Sequence, residues 1–180
     1  MQQPSKLIST IFAIACTTVS VAQAGELRAE LTPFEPLLGN WSCQGTNHGT
    51  PDTPETKFEA SFDFSDVLGG KWIRVAYSER TSDSHPIARD NIEYWGPSPG
   101  GMGYQTTFFN AFGQSETLAA SGWSENAVTW EGTVTTPAGP APFKGMVSLK
   151  EEYQSLVVEP ALGLPDGNWF TIATLNCVRG

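Results

Sequence analysis

The sequence predicts an all-β protein: an antiparallel up-and-down β-barrel of about ten strands with a short N-terminal helical or extended lid. Three observations carry this expectation. Short runs rich in β-branched and aromatic residues are separated by Gly and Pro clusters, with no convincing long helix between them. Residues Lys57 to Phe64 alternate strictly, with Phe58, Ala60, Phe62 and Phe64 on one face and Glu59, Ser61 and Asp63 on the other. Cys43 and Cys177 lie near the two ends of the strand-rich region, and in a meander barrel the first and last strands are neighbours.

Residues 1–24 read as a signal peptide. Lys6 supplies the positive start, Leu7 to Val21 an apolar core, and Ala22-Gln23-Ala24 a small-x-small cleavage site before Gly25. A rival reading takes Ala13-Ile14-Ala15-Cys16 as a lipobox with an acylated Cys16. Cleavage at Ala24 leaves residues 25–180 as one barrel domain, soluble and periplasmic or secreted, with no later segment apolar enough to span a bilayer as a helix.

The mature chain begins with Gly25 to Leu38, where a short helix can form before Pro33 and Pro36 force the chain extended; this is the lid. Leu37-Leu38-Gly39-Asn40-Trp41-Ser42-Cys43-Gln44-Gly45 follows, with a turn glycine two residues before an aromatic that can close the bottom of a barrel. Arg179, beside Cys177, is a cation able to stack on Trp41. Strand candidates are Asn40 to Thr46, Lys57 to Phe64, Lys71 to Tyr77, Asn91 to Trp95, Tyr104 to Ala111 and Glu116 to Trp123. Val128 to Val134, Phe143 to Tyr153, Ser155 to Glu159 and Trp169 to Val178 complete them. The runs are punctuated by Asn47 to Glu55, Gly96 to Gly101, Ala138 to Pro142 and Pro165 to Gly167.

Charge and cysteine content exclude several functions. Without Lys6, nine basic residues stand against nineteen acidic ones, a net charge of −10. Nucleic acid and anionic membrane surfaces are therefore poor partners, since phosphate binding needs clustered Lys and Arg. Once Cys16 leaves with the leader, Cys43 and Cys177 form an even pair that reads as a disulfide in an oxidising compartment. With only His48 and His85 to help, these two thiols make no zinc spacing, so no metal is implied.

Candidate chemistry is sparse. His85, in Ser82-Asp83-Ser84-His85-Pro86, has neighbours that suit a general base, but a polar loop ended by proline explains it more simply. Glu79, Arg80, Arg89, Asp90 and Glu93 read as surface cross-strand charges. If Trp72, Arg74, Ala76 and Ser78 form the inner face of their strand, Arg74 can hold the anionic group of a ligand. The other parity puts Ile73, Val75 and Tyr77 in the core and Arg74 outside. Aromatics are the positive signal, and the candidate ligand-binding set is Trp41, Trp72, Arg74, Tyr104, Phe108 and Trp130.

Taken together, GxWxCxG at residues 39–45, Leu68-Gly69-Gly70-Lys71-Trp72-Ile73-Arg74, Tyr94-Trp95-Gly96 and Cys177-Val178-Arg179 resemble a bacterial domain-of-unknown-function family, number fifteen seventy-nine. The resemblance runs over roughly residues 35 to 179 and implies a lipocalin- or calycin-like barrel, with no function attached. Nitrobindins share GxW and bind haem, but this chain has Cys43 at the first glycine-like position after the Trp and no histidine beyond His85. No cofactor is implied. The expected function is uptake of a small hydrophobic or amphipathic ligand. The alternatives are a barrel enzyme, an isomerase or hydrolase, and a structural or partner-binding envelope protein.

Overall fold

The computed structural model of the chain describes residues 28–50 and 53–180. The expected leader over residues 1–24, with Cys16 of the rival reading, and positions 51–52 lie outside the described residues. The strands are β1 (Gly39–Asn47), β2 (Thr56–Val67), β3 (Trp72–Glu79), β4 (Asp90–Pro97), β5 (Tyr104–Asn110) and β6 (Ser115–Ala120). They continue with β7 (Trp123–Ser124), β8 (Ala127–Thr136), β9 (Gly139–Lys150), β10 (Ser155–Gly163), β11 (Trp169–Thr171) and β12 (Ala173–Arg179).

Ten of these close an antiparallel barrel in the order β1-β2-β3-β4-β5-β6-β8-β9-β10-β12, and β12 returns to β1. The short β7 and β11 are additions to β8 and β10. Closure leaves the ring without a free edge. Its thinnest seam is β6 to β8, a single ladder pair of Ala119 opposite Glu131. Where β1 meets β12, Cys43 stands opposite Cys177, with Cα atoms 4.0 Å apart and the disulfide formed. First and last strands are thus neighbours, as the cysteines predicted.

The strand candidates hold with four adjustments, one being that Phe143 to Tyr153 ends at Lys150, because Glu151, Glu152 and Tyr153 take positive φ in a short 3-10 turn. Glu116 to Trp123 splits into β6 and β7 because the Trp123 ring turns in to meet Phe34 at 5.2 Å. β7 then hairpins onto β8 through Glu125 and Asn126, both left-handed at φ 51° and 62°. Ile172 likewise separates β11 from β12. The Ala138 to Pro142 cluster, expected as a loop, largely belongs to β9. There β9 has outrun β10, whose last pair on it is Leu162 opposite Phe143. With β8 as the single neighbour, alternate N–H groups have no ladder partner, and Pro140 and Pro142 are tolerated.

The lid is a 3-10 helix, Thr32–Leu37, that runs over Pro33 and Pro36 instead of ending before them as expected, since Pro33 sits in the first turn where a missing N–H costs nothing. In that helix residues three apart fall on one line, so Leu31, Phe34 and Leu37 all face the barrel and are 1%, 0% and 0% exposed. Phe34 enters an aromatic layer, edge-on to Trp95 at 5.7 Å and Tyr104 at 4.7 Å and stacked on Trp130 at 6.4 Å. The Trp41 indole donates to the Leu37 carbonyl at 2.8 Å, and the Tyr104 hydroxyl donates to the Glu30 carbonyl at 2.9 Å. Arg179 lies over the Trp41 ring at 4.5 Å and donates to the carbonyls of Leu38 and Pro36. One end of the barrel is therefore sealed by its own N-terminal segment.

In β3 the second parity holds: Ile73 and Val75 are core, and Trp72 and Arg74 face outward. Arg74 pairs with Asp63 at 3.3 Å on the outer surface. The Trp72 ring lies over Gly96, where any Cβ would collide with it. Leu68, Gly69 and Gly70 form the preceding turn, all with positive φ.

Candidate functional site

The barrel interior is unevenly filled. At the lid end the inward side chains Trp41, Phe64, Ile73, Trp95, Val128, Trp130, Leu149 and Leu156 are all buried. Towards the other end Tyr77, Glu93, Phe108, Val134, Phe143 and Val158 face inward by strand parity, yet each keeps accessible surface. The accessible inward residues lie on β3, β4, β5, β8, β9 and β10, whereas on β2 and β12 the inward Phe58, Ala173 and Leu175 are buried in the same half.

Glu93 stands at mid-height, just above the Trp95 and Trp130 layer. Its Oε2 accepts the Trp95 indole N–H at 2.8 Å and the Thr106 hydroxyl at 3.3 Å. Burial pushes its pKa up, and the two hydrogen bonds oppose that rise only in part.

At the rim, Glu79 is 6% exposed and His85 6% exposed, and His85 Nε2 meets Glu79 Oε2 at 2.7 Å. Tyr77 donates its hydroxyl to Glu79 Oε1 at 2.6 Å, and the Arg89 backbone N–H donates to Oε2 at 3.1 Å. Burial first, and then the bond to Glu79, raises the Tyr77 pKa far above the usual phenol range, so its hydroxyl remains a donor. The His85 ring stacks on Phe58 at 5.0 Å, and Phe58 occupies space that Gly45 leaves free. Both Glu79 oxygens are taken by protein donors. That occupancy makes the set a latch pinning the 80–89 loop against the rim. Glu116 accepts from the Thr135 N–H and bridges the thin β6 to β8 seam above their one ladder pair.

The six sequence-predicted ligand residues do not form one site. Trp41 closes the barrel floor under Arg179, Tyr104 and Trp130 belong to the lid layer, and Phe108 alone lines the open half. Trp72 and Arg74 lie outside. Glu79 and Glu93, expected as surface charges, point inward, and the buried His85 is more than loop filler. The signal for Glu93 was present: it shares strand parity with Trp95. No cluster of three or more His, Cys, Asp or Glu side chains suited to a metal occurs among the described residues.

Fold and site together define a closed, ten-stranded antiparallel barrel, lidded at one end and carrying an inward carboxyl at mid-height. In the comparisons with known proteins, no family model and no curated sequence matches the chain, so the resemblance to family fifteen seventy-nine reaches only as far as a barrel. Among solved structures the chain is similar to the crystal structure of Rv2717c from M. tuberculosis, with TM-score 0.64 and 12% identity over 86% of this chain and 99% of that one. At that identity the likeness establishes the fold alone.

Proposed function

We propose that the chain is an exported barrel protein, residues 25–180 after removal of residues 1–24, that takes up a small hydrophobic or amphipathic molecule in the open half of its interior. The observation that carries this reading is the accessible inner face of Tyr77, Phe108, Val134, Phe143 and Val158, opposite an end already filled by the protein's own Phe34. Apolar lining with few polar groups is the usual make-up of a ligand cavity. The Cys43–Cys177 disulfide suits an oxidising compartment, in keeping with a periplasmic or secreted protein. No helix among the described residues is long and apolar enough to cross a membrane.

Titration with an environment-sensitive fluorescent lipid analogue tests the reading, because Trp95 and Trp130 lie directly beneath the proposed space. Saturable quenching of tryptophan emission is expected. Absence of binding by the analogue and by a broad lipid extract would leave the structural-protein alternative. Intact mass tests export: the expected product begins at Gly25, and a diacylated chain beginning at Cys16 would contradict it.

A further inference from the structure

We propose that Glu93 is the polar anchor of the barrel's ligand and that it selects an amphiphile whose head group donates hydrogen bonds, a primary amine above all, over one ending in a carboxylate. The inference rests on the ligand-uptake reading above and names the head group that reading leaves open. It reverses the sign expected of an inward Arg74, which lies outside the barrel paired with Asp63.

Four observations converge on Glu93. Its Oε2 is held by Trp95 and Thr106, which fixes the carboxylate plane, while Oε1 has no hydrogen-bond partner among the described residues. Oε1 is also not sealed off: the buried side-chain polar atoms without a partner are Trp130 Nε1 and Ser148 Oγ. Oε1 is therefore a free acceptor that keeps accessible surface. No Lys or Arg among the described strand residues points into the open half. Lys57, Arg74 and Lys144 fall on the outer parity, Lys150 is exposed, Arg179 sits at the floor, and Arg89, exposed just before β4, acts on Tyr77 at the rim and not on Glu93. A desolvated carboxylate without a countercharge is costly, and an ammonium group supplies both the charge and the missing donor.

The fourth observation is Trp130 itself. It is inward and 3% exposed, packs 4.8 Å ring to ring against the Trp95 that holds Glu93, and its indole N–H has no acceptor. That N–H is sealed beneath Glu93, so Trp130 is a closed floor and Glu93 Oε1 is the group left to meet a head group. The tail then rises along Phe108, Val134, Phe143 and Val158.

Calorimetric or fluorescence titration of the full mature protein with decylamine, decanol and decanoate at neutral pH tests this. The wild type should prefer decylamine over decanoate by at least about tenfold, and Glu93→Gln should erase that preference. Equal affinity of the wild type for decylamine and decanoate, or a preference that survives Glu93→Gln, overturns the assignment. Binding of decanol with no amine preference removes this inference and leaves ligand uptake standing. Failure of all three probes removes both. Should Glu93→Gln not fold, the wild-type ranking of the three probes decides alone.

Discussion

The Trp95 indole donates its proton to the Glu93 carboxylate at 2.8 Å, from two positions along the same inward face of β4. That one bond joins the two halves of the barrel. Below it, Trp95 belongs to the layer that the lid residue Phe34 fills; above it, Glu93 is the first polar group of the open half. An aromatic floor and a fixed carboxyl over it are consequences of two residues of like parity in one strand.

Glu93→Gln should change how stability responds to pH. Burial raises the native pKa of Glu93, so on titrating upward the unfolded chain loses this proton first. Stability attributable to the group therefore falls as pH rises from the ordinary carboxylate range through the native pKa, and is level beyond it. Urea midpoints at about pH 4 and about pH 8 check this: Gln at position 93, which cannot ionise, should gain on wild type at the higher pH. A gap between variant and wild type that is the same at both pH values would contradict a desolvated Glu93.

Phe34→Ala should empty the lid layer. The ring is wholly buried and touches Trp95, Tyr104, Trp123 and Trp130, so its truncation should cost about 3–5 kcal/mol. Equilibrium urea unfolding measures it. A loss below about 1 kcal/mol would mean that the lid does not seal the barrel in solution.

Replacing Cys43 and Cys177 together by Ser should lower stability, because the disulfide closes a loop of 134 residues between first and last strands. The chain-entropy model gives about 5 kcal/mol as an upper figure. Native thiol titration of the mature protein should find no free sulfhydryl. Two free thiols would remove the covalent part of the closure.

His85→Ala should release the 80–89 loop. It leaves buried Glu79 without its shortest partner other than Tyr77, at a cost of about 1–3 kcal/mol. Limited proteolysis should cut near Ser82 faster than in wild type while the barrel strands stay protected. Unchanged cleavage would deny the latch.

Much of the fold was legible because strand periodicity and turn residues are local. The alternation of Lys57 to Phe64, the Leu68-Gly69-Gly70 turn and the paired cysteines each specify a feature through their own chemistry. A short helical lid was legible but its place was not: the prolines suggested extended chain, whereas the 3-10 helix runs over them and turns Leu31, Phe34 and Leu37 to one side. The interior was not. Whether Trp72 and Arg74 face in or out is a choice of parity in a strand where both faces carry aromatics, and it is settled by Gly96 on the neighbouring strand, which takes the Trp72 ring. Likewise Glu79 and Glu93 look like surface charges beside Arg80 and Arg89, and only the register of β3 on β4 turns them inward. His85 is buried by Phe58 and Glu79, both from other segments, and no local pattern encodes that meeting.

The central claim, that the half-barrel above Glu93 is a ligand chamber, is tested most directly by native mass spectrometry of the mature protein mixed with decylamine, beside Val158→Trp. Val158 faces inward in that half, and the larger indole fills the space at an overpacking cost of about 1–3 kcal/mol. The account predicts a one-to-one adduct on the folded wild type and none on the folded Val158→Trp protein. A wild type that carries no adduct, or an adduct equally retained by the plugged variant, would contradict it.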